Sequence, residues 1–300
     1  MDNKQIHYNQ SRYNLILMIK KILYNLNFFT WAGKTAILFL VIAVFIAVCS
    51  PLVSVYSPNK SSGKSLLPPG NNHWLGTDDL GHDLWAQICY GTRVSLIIGI
   101  GTALLSGFCG VLIGMFSGYQ GGIIDKLLTR LIDIMIVLPD LPLMIVLAAY
   151  LGPNLLNIIF VLTFFSWVHT ARIVRSQVLM LKEKQYIKYI KIHGAKSLYI
   201  MRKHLFPEIF PLMSVSMIRI AGRSIIAEAG LSFLGLGDPT SKSWGMIIHH
   251  ATTFNGIYYT KYWQWWLLFP WMALTMMVLS LAFINRDLEK LFGHKKNVIN

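Results

Sequence analysis

Gly33-Lys34-Thr35 has the closing residues of a phosphate-binding loop, where backbone N–H groups cradle phosphates and the lysine neutralises them. A complete loop needs a glycine five residues earlier, and that position is Phe28. An apolar stretch follows at once and leaves no room for a nucleotide fold, so this chain is not expected to bind ATP. His249-His250 offers two imidazoles, but adjacent residues do not share a helix face and no second ligand pair lies near. Cys49, Cys89 and Cys109 lack C-x-x-C spacing and cannot all pair with one another. No Ser-His-Asp order and no HExxH pattern occurs. The expectation is a chain with no catalytic residues, no metal and no cofactor. What remains is charge in apolar surroundings: Arg219 and Arg223, four residues apart on one helix face, and the carboxylates Asp133, Asp140 and Glu228.

The surroundings are apolar because the whole chain is. Hydrophobic residues make up 54% of 300 residues, and mean hydropathy is +0.52. Charged residues are 13%, about half of the usual ~25%. That excludes a soluble enzyme, a disordered tail and a coiled coil. The net charge of +14 leaves a nucleic-acid binder or a membrane protein, and the placement of the charges decides. No charge occurs in 35–59, 94–124, 141–171 or 262–285. A bilayer span needs about 20 apolar residues. The windows predict spans at 35–56, 94–116, 131–151, 155–171 and 263–284, with Gly152-Pro153-Asn154 turning between the third and fourth. A further span is predicted at 208–232, apolar except for Arg219, Arg223 and Glu228. With the N-terminus inside, twenty of the 27 Lys+Arg fall in inner segments, five in outer loops and two inside the fifth span. This is the positive-inside asymmetry of a multi-pass protein, with both termini cytoplasmic and no nucleic acid among its partners.

The first span begins too late, and without a small-x-small site, for a cleaved signal peptide. Before it, Leu15, Ile19, Ile22, Leu26 and Phe29 recur at helical spacing, predicting a basic amphipathic helix on the inner lipid surface. In the second span Gly99, Ala103 and Gly107, then Gly110, Gly114 and Gly118, step by four residues. Small residues at that step let helices approach closely in lipid. Arg219 is placed well inside the membrane by its distance from Pro207. It and Arg223 therefore need the translocation path or an acidic partner, for which Asp140 is the candidate.

The longest inner connection, 172–207, is apolar and helix-prone. One helix is predicted at 174–193, ended by Gly194 as a left-handed cap, then a second at 196–205, with Pro207 opening the fifth span. Two short helices bent at a glycine make a rigid knob suited to a groove on a soluble partner.

The residues from Lys184 to Ala195, followed by Ile200, His204, Leu205 and Pro207, resemble the EAA loop of ABC importer permeases. Lys188-Tyr189-Ile190 stands where Glu-Ala-Ala is usual. His73-Trp74-Leu75-Gly76-Thr77-Asp78-Asp79-Leu80-Gly81-His82-Asp83, with Gly91, Arg93, Ser95 and Leu96, resembles a second family segment. Ala227-Glu228-Ala229-Gly230-Leu231-Ser232-Phe233-Leu234-Gly235-Leu236-Gly237, with Ser243-Trp244-Gly245, resembles a third. Both are similar to the C-type permeases of dipeptide, oligopeptide and nickel importers. Gly118-Tyr119-Gln120-Gly121-Gly122, with Asp125, Arg130, Asp133 and Pro139, and Ala171-Arg172-Ile173-Val174-Arg175 also fit.

The resemblance implies an all-α integral membrane protein with six transmembrane helices in a type I importer (MetI-like) bundle. It implies a second permease subunit, two ATPase subunits and an extracytoplasmic binding protein as partners. Its organisation is then an inner tail at 1–34, the first span and outer loop at 35–93, the permease domain at 94–285 with its coupling loop at 172–207, and an inner tail at 286–300. The expected coupling residues are Tyr186, Lys188, Tyr189, Gly194, Ala195, Ile200, Leu205 and Pro207. Arg219, Arg223 and Asp140 line the path or form a charge pair. Gly107, Gly110, Gly114 and Gly118 pack helices. The expected cargo is peptide, with nickel or a metal chelate as the alternative. A stand-alone channel or ion-coupled transporter would instead need a relay of intramembrane carboxylates. The outer Gly-Thr-Asp and Leu-Gly-Leu-Gly motifs either receive a binding protein or cap helices.

Overall fold

The computed structural model describes residues 29–297. The interfacial helix expected around Leu15, Ile19, Ile22 and Leu26 lies outside the described residues. Among the described residues the chain is helical, and the one extended pairing is an isolated bridge between Thr77 and Asp83.

Helix α1 (Trp31–Val53) starts where the Thr30 hydroxyl accepts the Gly33 N–H, four residues before the expected start. Its Ala36, Ala43 and Ala47 are buried against neighbours, while Leu38, Phe45 and Val48 stay exposed, as suits a peripheral span in lipid. Helix α2 (Leu84–Gln120) begins at Asp83, whose carboxylate caps it by accepting the Ala86 N–H at 2.8 Å. Its 37 residues rise about 55 Å, well beyond a ~30 Å hydrocarbon layer. The expected start at 94 followed the charge-free window; Arg93 is exposed on the helix and does not interrupt it.

The span expected at 131–151 is broken and starts earlier. Helix α3 (Gly122–Val137) and helix α4 (Asp140–Leu151) meet at a 91° bend. Pro139 has no N–H to continue the ladder and pushes Leu138 into extended backbone. Gly152, at φ +82, ends α4, and Asn154 caps α5 (Leu155–Lys182) by accepting the Leu156 N–H. Helix α5 runs well past the expected end at 171, because Arg172 and Arg175 find carboxylates on α3 instead of breaking the span.

The first loop helix, expected at 174–193, is therefore two elements: the end of α5, then α6 (Gln185–Ile192) after a break at Glu183 and Lys184. Helix α7 (Ser197–Ile200) passes through one π turn (Met201–Leu205) into α8 (Phe206–Phe233) without a break. Pro207 follows directly on the π turn, where the wider turn accommodates a residue without an N–H inside a continuous helix. After α8 come the short helices α9 (Trp244–Thr253) and α10 (Trp263–Trp266), and then the long apolar α11 (Leu268–Asn297). Among the described residues five helices are long and apolar enough to cross, and the count reaches six with the bent α3–α4 pair taken as one broken span.

Helix α2 is the central post. A Cβ on Gly110 would lie 2.6 Å from the Trp167 carbonyl oxygen, and one on Gly114 would lie 2.5 Å from that of Ala171. Gly118 abuts Arg175 and Val178 in the same way. These three set α2 against α5. Gly107 and Gly99 instead meet Met217 and Ile225 of α8. The three-residue step from Gly107 to Gly110 thus turns the small stripe from one partner to another.

Candidate functional site

The segment between α5 and α8 is a braced knob. Ile187, Ile200 and Leu205 are buried with Val178 and Leu181 of α5 and Ile209 of α8 in one apolar cluster, to which Ala195 also packs. Gly194, at φ +81, turns the chain: its N–H donates to the Lys191 carbonyl, and the Ala195 N–H donates to that of Ile190. This bond pair needs a residue at ease with positive φ. The Tyr186 hydroxyl donates to Glu208 Oε1 at 2.6 Å and Lys184 Nζ to Oε2 at 3.0 Å. Burial and the neighbouring Glu208 carboxylate push the Tyr186 phenol up to about 12, so it stays a protonated donor. Lys188 pairs with Glu183. On the outward side Tyr189, Ile192, Leu198 and Tyr199 are exposed, Ile192 at 82%.

A second feature is a cavity of about 510 Å³ between α4, α5 and α8. Asp140, His169, Arg172, Arg219 and Arg223 face it, among apolar groups such as Phe165. Arg219 and Arg223 do share a face. Arg219 pairs not with Asp140 but with Glu289 of α11, which also accepts from Asn285 at 2.8 Å. Glu289 was counted with the C-terminal tail, yet α11 runs on beside α8 and brings it within reach. Arg223 is the residue near Asp140, at 3.8 Å, and Arg172 lies 3.1 Å from Asp133. The three intramembrane carboxylates do not form a relay. Asp133 and Asp140 each answer an arginine, while buried Glu228 accepts the hydroxyls of Ser232 (2.7 Å) and Ser243 (2.6 Å) on one oxygen.

The Gly-Thr-Asp and Leu-Gly-Leu-Gly motifs hold local structure. Asp78 accepts the backbone N–H groups of Leu80 and His82 and the Gln87 side-chain amide. Asp83 caps α2 and holds His73 Nδ1 at 2.8 Å. The Thr77 hydroxyl donates to the Lys64 carbonyl and accepts the Leu67 N–H. Burial followed by the Asp78 charge raises the Asp79 carboxyl above its ordinary range. Gly235 ends α8 with the same bond pair seen at Gly194, and Ser243 caps α9. His249 is held by the Phe233 carbonyl, and among the described residues no group of three or more His, Cys, Asp or Glu could hold a metal ion.

Three ties were missed at the level of sequence. Asp125 takes Arg175 in a fork and also the Ser117 hydroxyl, joining α3, α5 and α2. Asp287 accepts both the N–H and the hydroxyl of Thr30, and Gly33 is small because a side chain there would strike that carboxylate. Glu228 joins α8 to the start of α9 through Ser243. Each charged residue stood among quoted motifs or in an assigned tail, but its partner lay far along the chain.

The family model described as binding-protein-dependent transport system inner membrane component matches residues 110–285. The chain is 39% identical to the dipeptide transport system permease protein DppC of Bacillus subtilis, over 77% of this chain and 72% of that protein. It is 36% identical to the oligopeptide transport system permease protein OppC of the same organism, over 80% and 78%. A putative peptide transport system permease protein of Brucella suis is 34% identical over 88% of each chain.

Proposed function

The chain belongs to the family of binding-protein-dependent transport system inner membrane components, and from that premise we propose that it is one of two permease subunits of an ATP-driven importer of short peptides. Two ATPase subunits dock on its inner side, a binding protein delivers cargo from outside, and both termini are cytoplasmic. ATP is bound and hydrolysed by the partners. The printed names of the similar permeases, dipeptide, oligopeptide and peptide, support peptide over nickel.

The observation that carries this reading is the knob. Its feet are buried in α5 and α8, and its outward face sets exposed Tyr189, Ile192, Leu198 and Tyr199 among exposed Lys188, Lys191 and Lys196. Large apolar side chains ringed by lysines on a rigid base fit an apolar groove with an acidic rim on a soluble partner better than they fit water. Helix α8 continues from α7 through the π turn and lines the charged cavity with Arg219 and Arg223. A push on the knob therefore travels along one lever to the cavity wall, which is what alternating access requires.

The test is reconstitution in liposomes with the cognate permease, ATPases and binding protein. ATP-dependent peptide uptake is expected, and Ile192→Asp with Leu198→Asp should abolish ATPase association while the chain still inserts. Uptake that persists without any ATPase subunit would overturn the reading.

A further inference from the structure

Arg223 is the loosest charge in the cavity wall. Arg219 is engaged by Glu289 and Arg172 by Asp133, whereas Arg223 has only Asp140 at 3.8 Å, too long for a hydrogen bond. Its side chain lines the cavity and is 61% exposed. A guanidinium carries five donors in a fork that matches a carboxylate. Among the described residues those donors have no acceptor within hydrogen-bond distance.

Resting on the peptide-import reading, we infer that the Arg223–Asp140 pair is a clamp for both ends of a zwitterionic short peptide. The peptide carboxylate takes Arg223 and the peptide ammonium takes Asp140. With the cavity empty, the two residues hold each other as placeholders.

Charge balance supports the exchange. The wall carries Arg172, Arg219 and Arg223, and they are matched by Asp133, Glu289 and Asp140. A ligand with net charge would upset that balance, while a zwitterion replaces one internal pair by two pairs to itself. The volume, about 510 Å³, falls within the roughly 300–1,000 Å³ of small-molecule sites. Phe165, Leu162 and Ile220 supply apolar walls that suit varied peptide side chains.

The fold lets the pair part. A short peptide spans roughly 3.3–3.6 Å per residue, so its ends need Arg223 and Asp140 to separate by several ångströms. Asp140 sits in the first turn of α4, just past the 91° bend at Pro139. Helix α3 is fixed to α5 by Asp125 and Arg175, whereas α4 is held to α5 at its far end, where the Asn157 amide donates to the Leu151 carbonyl, so a pivot there with the bend as hinge moves Asp140 and leaves α3 in place.

The test measures binding of trialanine, its C-terminal amide and its N-acetyl form to the purified four-subunit membrane complex, by equilibrium dialysis without the binding protein. The wild-type complex is expected to bind trialanine most tightly. Arg223→Gln should weaken trialanine about tenfold and leave the amide within about twofold, and Asp140→Asn should do the same for trialanine against the acetylated form. If Arg223→Gln does not assemble, Arg223→Lys, which keeps the charge and loses the fork, must still weaken trialanine more than its amide. Equal losses on all three ligands make the pair structural and overturn the inference. A wild-type complex that imports trialanine yet binds none in this assay overturns the inference and leaves the peptide-import reading intact. A complete importer that moves no peptide overturns both.

Discussion

Arg175 lays its Nε and one terminal nitrogen on the two carboxylate oxygens of Asp125, at 2.6 and 2.8 Å. The same carboxylate takes the Ser117 hydroxyl at 2.5 Å, so α2, α3 and α5 meet at one group. The side chains are 26% and 16% exposed, which shields the fork from water. Asp125→Asn should cost about 1–3 kcal/mol, since it strands an arginine with half its acceptors. The double variant with Arg175→Gln should cost less than the sum of the singles. Thermal unfolding in detergent measures both, and additive losses would show that the fork contributes nothing.

The glycines of α2 and α8 should differ sharply on substitution. At Gly114 a Cβ meets a backbone carbonyl at 2.5 Å, and backbone cannot step aside. At Gly222 the nearest atom is the Leu281 Cβ at 3.7 Å, an ordinary contact. Gly114→Ala should separate α2 from α5 and lose about 1–3 kcal/mol, while Gly222→Ala stays within about 0.5 kcal/mol of the parent. Melting of the two purified variants side by side decides it, and equal behaviour would refute the close-packing account.

The positions of the spans were legible in the sequence because charge is excluded from lipid, and charge-free windows mark them. Their ends were not. Arg93, Arg172 and Arg175 close the windows, yet the helices run through them, since one arginine is exposed beyond the window and two are paired with Asp133 and Asp125 across the bundle. The bend at Pro139 had a visible signal in the proline itself, overridden by the apolar run on either side. Of the cavity, the shared face of Arg219 and Arg223 was legible from their four-residue spacing. Their partners were not, because Glu289 lies 70 residues beyond Arg219 and sat in a segment read as tail. Local spacing reports which face a residue occupies; only packing reports what stands opposite.

Gly194 tests the knob with little interference from packing. No atom lies within 4 Å of a Cβ placed there, so substitution acts through backbone strain at φ +81 alone. Asn, which tolerates left-handed backbone, should cost least, Ala about 1 kcal/mol, and Val more. Peptide-stimulated ATP hydrolysis of the assembled complex should fall in that order while membrane insertion stays constant. Equal coupling in Gly194→Val and the parent would remove any role for the turn.

Ser243 performs two tasks with one hydroxyl. It donates to Glu228 Oε1 at 2.6 Å and accepts the Met246 N–H at 3.2 Å, so it both caps α9 and ties it to α8. Ser232 donates to the same oxygen at 2.7 Å but caps nothing. All three residues are buried, so water cannot replace a lost partner. Ser232→Ala should cost about 1 kcal/mol through one missing hydrogen bond. Ser243→Ala should cost about 2 kcal/mol or more, because a helix cap is worth about 1 kcal/mol in addition. The excess should be local: amide exchange in 244–253 should quicken in Ser243→Ala and not in Ser232→Ala, since only the first frees the start of α9. Gly245 lies against the backbone of Ala229, with a built Cβ 2.6 Å from its Cα, so a loosened α9 also withdraws from that close contact. Matching exchange rates in the two variants would mean that the close packing at Gly245 and not the serine hydroxyl holds α9 in place.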